Sequence, residues 1–465
     1  MADGNRKLNR AIRAMPVLIT LMLSTSAQAG SLDTIGSRDL ASKLRSQRFN
    51  APAYQPTNPS DPAWFVERAD NSSMRISVLS QARYMISQRN SGFIAPSSET
   101  TYGFSLPRTR ISFDGSIVSS QFNYRVSLDF GDAELSRGRG TGPPLAGSTG
   151  TPRLLDAYAQ YNFAGKNEGY YLKIGQFKNI VLTEEAVASE YQLAIDRSMV
   201  SEILGPGYTQ GVGYGFVGDS YAWEMSITDG GRYLGSRETD NTAFNDIQEA
   251  DMAVGFRYDW KFKGSWDQFA DFTSFQGGNS GSKIGGGFLY QFHGQTNPGG
   301  QIPGFIGSNV ESTQVITWTL DYQYESDGWN FFAAYIGQWV DWELSTATLG
   351  VLQNAVVLQG GWFIDDQTEF YARLDTLWLD KAFRNGFGTP DGYITRIGTV
   401  GVNYYIVPES HAAKLSFDAS YAFDSLFALA VGAGDSIGLP DPSTTGFLGL
   451  TDHEFVLRLQ LQLMF

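Results

Sequence analysis

The chain has 465 residues, no cysteine and a formal net charge of −14. Disulfides therefore play no part in its stability, and the sign of the charge disfavours nucleic acid as a partner. Length alone suggests two or three soluble domains, but 52 glycines, 64 aromatics (10 Trp, 23 Tyr, 31 Phe) and only 18% charged residues suit one unit of many strands and turns.

Residues 1–29 read as a secretory signal peptide. Arg6, Lys7, Arg10 and Arg13 form a basic start, "AMPVLITLML" an apolar core, and "AQA" at Ala27–Ala29 a small-residue cleavage site. That core is too short to span a bilayer as a helix, which takes about 20 residues. Removing it leaves 30 Lys+Arg against 47 Asp+Glu, a net charge of −17. Residues 30–72 are polar, and the four prolines of "NAPAYQPTNPSDPAW" prevent regular structure there, so an extended N-terminal arm is expected in the periplasm.

From residue 73 to the C-terminus the pattern is alternation. Ile76, Val78, Ala82, Tyr84 and Ile86 alternate with Arg75, Ser77, Gln81 and Arg83; Phe122, Tyr124, Val126, Leu128 and Phe130 alternate with Asn123, Arg125, Ser127 and Asp129. Successive side chains point to opposite faces of a strand, so each stretch is a strand with one greasy and one polar face. Similar segments lie at 108–117, 155–163, 170–177, 208–217, 220–228, 249–261, 265–275, 282–292, 312–325, 328–340, 353–364, 367–378, 393–406 and 411–423. The chain ends in "HEFVLRLQLQLMF", where Phe455, Leu457, Leu459, Leu461, Leu463 and Phe465 share one parity.

Many of these segments run ten residues or more, and ten tilted residues cross a bilayer. The separators alternate between tight turns such as "ESDG" and "DDQ" and long loops at 131–152, 229–248, 341–352, 379–392 and 424–451. Short turns on one rim and long loops on the other describe a transmembrane antiparallel β-barrel of the Gram-negative outer membrane, an all-β fold. In hydrocarbon every backbone polar group must be paired, so the greasy parity faces lipid and the other faces a water-filled lumen. Tyr161, Phe163, Trp223, Tyr258, Trp260, Trp329, Trp339, Trp342, Trp362, Trp378 and Tyr404 lie near strand ends and suit interfacial girdles. The segments number 17, whereas bacterial barrels have even counts. Sixteen strands are expected, with 18 as the alternative, and the parity breaks between residues 276 and 311. Phe465 ends a strand that must pair with the first strand to close the barrel. It also resembles the signal by which the barrel-assembly machinery recognises its clients.

One connection differs. "GQFKNIVLTEEAVASEYQLAIDRSMVSEILGPG" is long and partly apolar: Ile180, Val181, Leu182, Leu193, Ile195, Met199, Val200 and Leu204 need a surface to pack on. Folding into the barrel and constricting it would supply that surface, with the acidic residues turned to the aqueous path.

The order of "LPRTRISFDG" (106–115), "FNYRVSLDFG" (122–131), "LLDAYAQYNF" (154–163) and "YLKIGQFK" (171–178), then Glu184, Glu185, Ser189, Asp196, Arg197, Ser198 and "GYTQGVGYGF", resembles the phosphate-selective porin O and P family. The resemblance covers about 106–217 well and the C-terminal half only in pattern. It implies sixteen strands, a homotrimer, a third external loop folded inward, and anion selection by rows of inward Arg and Lys.

The inward parity offers Arg75, Arg83, Arg108, Arg110, Arg125, Lys173, Arg257, Arg373, Lys414 and Arg458 as pore-lining cations. It also carries Asp114, Asp129, Asp156, Asp251, Asp259, Asp321, Glu369, Asp375 and Asp418, so the signs nearly balance. Arg108, Arg110 and Arg125 form the densest basic patch, either lining the pore or paired with Asp114 and Asp129. The constriction loop contributes Lys178, Glu184, Glu185, Glu190, Asp196 and Arg197. No catalytic group, metal site or cofactor is expected. His293, His411 and His453 are scattered, read most simply as surface residues, and no hydrolase elbow occurs. The expected function is a passive channel for small hydrophilic solutes and ions, including anions such as phosphate. A structural or adhesive barrel without channel activity is the alternative.

Overall fold

The computed structural model describes residues 63–67, 72–90, 99–131, 152–164, 168–233, 250–294, 310–344, 347–381, 394–426, 445–448 and 453–465. The proposed signal peptide, most of the N-terminal arm and much of the long loops lie outside the described residues.

The described strands are β1 (Trp64–Glu67), β2 (Ser73–Arg89), β3 (Glu99–Ile117), β4 (Ser119–Asp129), β5 (Arg153–Asn162), β6 (Gly169–Lys178), β7 (Tyr208–Val217), β8 (Tyr221–Thr228), β9 (Met252–Lys263), β10 (Gly281–His293), β11 (Val310–Ser326), β12 (Trp329–Leu344), β13 (Ala347–Phe363), β14 (Thr368–Trp378), β15 (Ile394–Tyr405), β16 (Ala413–Ala422) and β17 (Glu454–Met464). β2 to β17 pair antiparallel in chain order, and β17 pairs with β2 from Glu454↔Arg89 to Met464↔Leu79. The result is a closed barrel of 16 strands, with no edge to hydrate. Closure ties down the alternating C-terminal strand.

β1 is an extra strand outside the sixteen. It pairs with Ser73–Ile76 of β2, on the edge β17 vacates when it stops at Phe465. Phe465 and Val78 exchange backbone hydrogen bonds of 2.7 and 3.0 Å, after which Trp64↔Ile76 takes over. Part of the expected irregular arm is thus ordered, because β2 leaves hydrogen-bonding groups open that a passing segment satisfies.

The segment at 265–275 is not a strand. It holds a short 3₁₀ turn, Asp267–Ala270, within a connection from 264 to 280. This resolves the odd count. Trp266, Phe269, Phe272 and Phe275 recur every third residue, a spacing a strand cannot place on one face. The loop expected at 341–352 is mostly strand as well. β12 runs to Leu344 and β13 starts at Ala347, so the wall there is tall.

Exposed apolar side chains such as Ile174, Ile227, Trp260, Leu320, Trp362 and Val400 occupy the outward parity. Trp342 is fully buried on the inward parity, so it is no part of a girdle. Inside, much of the apolar surface is concentrated on one run of strands, interleaved with buried polar residues such as Gln291, Asp321 and Gln338. β10 to β14 contribute Leu289, Val315, Phe332, Ile336, Val340, Trp342, Val351, Val357 and Leu377 to the buried cluster, whereas Arg and Ser positions of β2 to β4 face the lumen. His293 and His411 are completely buried rather than on the surface, because connecting segments cover them.

Candidate functional site

The connection 179–207 carries two short helices, α1 (Thr183–Ala186) and α2 (Met199–Leu204). The Ser198 side chain caps α2 by accepting from the Ser201 amide at 3.0 Å. The apolar residues of this connection have found their surface. Val181, Leu182, Leu193, Met199, Val200 and Leu204 join the cluster formed with the inward residues of β10 to β14. Full burial of such a side chain stabilises by about 1.5–3 kcal/mol.

An irregular backbone needs partners for its carbonyls, and inward side chains supply them. Arg257 of β9 donates to Val181 O at 2.8 Å and to Thr183 Oγ1 at 2.6 Å. Asn403 of β15 donates to Leu193 O at 2.9 Å, Lys414 of β16 to Gln192 O at 3.1 Å, and Gln462 of β17 to Glu190 O at 3.2 Å. The Met199 amide donates to Asp375 of β14 at 3.1 Å. Glycine makes the approach to β10 possible: a Cβ on Gly287 would sit 2.3 Å from Val181 O, and one on Gly285 2.1 Å from Arg257 Nη2.

Asp196 is the main ionic anchor. Arg108 Nη2 reaches it at 2.7 Å and Arg83 Nη1 at 3.2 Å, while Arg373 Nη1 donates to its backbone carbonyl at 2.6 Å. Burial works against the charge on Asp196, but the Arg108 and Arg83 guanidiniums outweigh it and hold the carboxyl well below the usual range. Glu184 behaves oppositely. Burial pushes its carboxyl up to about 7, against the pull of Arg373, while Ser198 hydrogen-bonds both its oxygens. Glu185 is raised by burial too and accepts from the Gly207 amide at 2.8 Å. Glu184, Glu185 and Asp196 are each at most 3% exposed. They hold the connection in place rather than facing water, contrary to expectation.

A cavity remains between this connection and the wall from β2 to β7. Arg110, Arg125, Lys178 and Arg197 line it, together with Asp156, Glu190, Tyr191, Tyr208 and Ala270. Arg110 pairs with Asp129 at 2.6 Å, and Arg125 with Asp156 at 3.2 Å and Asp114 at 3.8 Å. Arg197 reaches Glu202 at 3.6 Å and donates to Val187 O at 2.8 Å. Among the described residues Lys178 has no ion-pair partner; its ammonium stands 5.0 Å over the Tyr208 ring.

Five of the expected site residues therefore meet at one cavity: Arg110, Arg125, Lys178, Glu190 and Arg197. The others are struts. Lys173 lies 2.8 Å from Glu224, Arg257 is forked between Asp259 and Asp321 at 2.7 and 2.9 Å, and Arg373 sits 3.2 Å from Asp375. Arg83 and Arg108 are spent on Asp196, and Arg75 is buried opposite Asp114 in the β2–β3 register. Tyr208, Tyr191 and Ala270 were not foreseen. Only the period-three aromatics around Ala270 carried a signal that this stretch turns inward.

Residues 93–263 match the phosphate-selective porin O and P family. The match spans β3 to β9, including the connection and the whole basic patch. Among solved structures, the anion-selective porin from Comamonas acidovorans superposes with a TM-score of 0.52 at 10% identity, over 85% of this chain and 100% of that one. OprB of Pseudomonas putida gives 0.50 at 10% identity, over 84% of this chain and 94% of the other. At such identity the likeness is one of fold: the porin barrel of Gram-negative outer membranes. No curated protein matches the chain.

Proposed function

We propose that this chain is an outer-membrane porin, a passive channel for small hydrophilic solutes and ions that favours anions such as phosphate. The observation carrying this reading is the cavity beside the 179–207 connection, bounded by four cations, Arg110, Arg125, Lys178 and Arg197, against two carboxylates, Asp156 and Glu190. A passage lined by an excess of one sign selects against ions of that sign.

On this reading the connection folds into the lumen and sets its narrowest point. Support comes from its hydrogen bonds to β9 and to β17, eight strands apart in a ring of sixteen. Arg110, Arg125 and Arg197 are each offset by a carboxylate, whereas Lys178 has no ion-pair partner among the described residues. Passage needs no bound group: an anion exchanges part of its hydration shell for these donors, and conduction requires that it be held weakly enough to leave again. The remaining parts of the reading are a signal peptide at 1–29, a periplasmic arm at 30–72, a barrel from 73 to 465 in outer-membrane lipid, delivery by the barrel-assembly machinery with Phe465 as the signal, and a homotrimer.

Planar-bilayer recording tests the proposal. A reversal potential on the anion side in a potassium chloride gradient, and a block of chloride current by phosphate, are the expected results. Folded protein that gives no conductance would leave the structural or adhesive barrel as the reading.

A further inference from the structure

We infer that the 264–280 connection is a strap that floors one side of the lumen and confines permeation to the basic cavity, so that it determines selectivity together with the 179–207 connection. This rests on the channel reading above.

The strap lies on the rim of short turns, the periplasmic side of such barrels. It is anchored at both ends of a chord. Trp266 Nε1 donates to Gly218 O in the β7–β8 turn at 2.7 Å. Asp271 Oδ2 lies 3.4 Å from Nε2 of His411, in the β15–β16 turn, and the Phe275 and His411 ring centroids are 5.8 Å apart. Those two turns are eight strands apart, on opposite sides of the barrel. Beside the His411 anchor the strap touches the other connection: the Phe272 amide donates to Tyr191 O at 3.2 Å. Phe272 is buried and its ring meets Phe332 at 4.8 Å. A turn that merely joined β9 to β10 would need two or three residues, as the β11–β12 turn does; seventeen residues crossing the opening need another account.

What the strap covers gives its sign. Glu325 and Glu369 are 1% and 0% exposed. Asp271, on the strap, receives the Gln323 side chain on its carbonyl at 2.7 Å, and Gln323 also donates to Glu325 at 2.8 Å. Thr273 meets Tyr405 Oη at 3.1 Å, and Tyr405 donates to Glu369 at 2.8 Å. The strap therefore seals two inward carboxylates from the lumen. The other lip of the strap, at Ala270, borders the basic cavity. An ion is steered past Arg110, Arg125 and Lys178 and kept away from Glu325 and Glu369.

The test replaces residues 266–279 by a short Gly/Ser turn in the full chain. Wild-type conductance is recorded first, since its absence defeats the channel reading and not this one. Given a conducting wild type, the replacement raises conductance and moves the reversal potential toward cations, and adding Glu325→Gln and Glu369→Gln moves it back. Unchanged conductance and reversal potential would overturn the inference. Should the replacement fail to fold, the chain's lack of cysteine allows a second route. A bulky thiol reagent on Ala270→Cys is expected to reduce conductance, and full conductance after complete labelling overturns the strap as a lip of the path.

Discussion

The ring of Trp64 stands edge-on to that of Phe465, with centroids 6.1 Å apart and planes at 88°. One residue opens β1 and the other ends the chain, so the two runs lie end to end along β2. An edge-to-face aromatic pair is worth about 0.5–1.5 kcal/mol. Replacing Phe465 by Ser is expected to lower the amount of assembled barrel, read as heat-modifiable migration on a gel. Trp64→Ala removes the same contact without touching the terminal residue. It should lower the denaturant midpoint slightly and leave assembly near wild type. Equal assembly defects in both variants would mean that the ring contact, and not the terminal position, is what matters.

Asp196→Ala leaves Arg83 and Arg108 buried without their shared counter-ion. Breaking a buried pair on one side costs about 3–5 kcal/mol. The connection should loosen, with noisier and larger single-channel currents. Asp196 stays charged well into acid, so this anchor should persist there. Steady wild-type currents at mildly acidic pH, against unstable currents in the variant, would be the signature.

Glu184 supplies a pH dependence of the other sign. Its folded value of about 7 lies above the ordinary 4.5, so the folded state holds the proton more tightly than the unfolded chain. That stability is fully present below the ordinary value and is lost as pH rises through about 7. Thermal melting should therefore fall between mildly acidic and mildly alkaline buffer. Glu184→Gln should flatten that part of the profile; an unaltered slope would count against it.

Gly287→Ala places a methyl group 2.3 Å from Val181 O. Something must move, and overpacking of this kind costs about 1–3 kcal/mol. A lower unfolding midpoint with changed conductance is expected, because the connection is pushed toward the cavity. Gly286→Ala is the control, since its nearest neighbour would be 3.6 Å away.

Lys178→Gln should move the reversal potential toward cations more than Arg110→Gln does. Among the described residues no carboxylate pairs with the lysine, whereas Asp129 already offsets the arginine at 2.6 Å, so the two variants are compared in mildly acidic buffer, where the buried lysine carries its full charge. Removing Arg108, Arg110 and Arg125 together mixes two effects, as Arg108 anchors Asp196 while the others face the cavity. Equal shifts for the two single variants would show that pairing does not weaken a lumen arginine.

The alternation of Phe122 to Phe130 and of Phe455 to Phe465 determined the strands and, through the bilayer's demand that every backbone group be paired, the closed barrel. It worked because side-chain direction along a strand is a local property. Two local signals were misread. A period of two was seen at 265–275, where Trp266, Phe269, Phe272 and Phe275 keep a period of three. The stretch at 341–352 was taken for a loop, although pairing between β12 and β13 makes most of it strand. The apolar residues at 180–204 announced that the connection needed a surface, but not which one. Tertiary structure alone decided that Asp196 would take Arg83 and Arg108, that Arg257 and Arg373 would be struts, and that Arg110, Arg125, Lys178 and Arg197 would share a cavity. Those contacts join residues up to 177 positions apart. Parity says only that a charge points inward; which opposite charge it meets depends on the ring's closure and on the path of the connection across it.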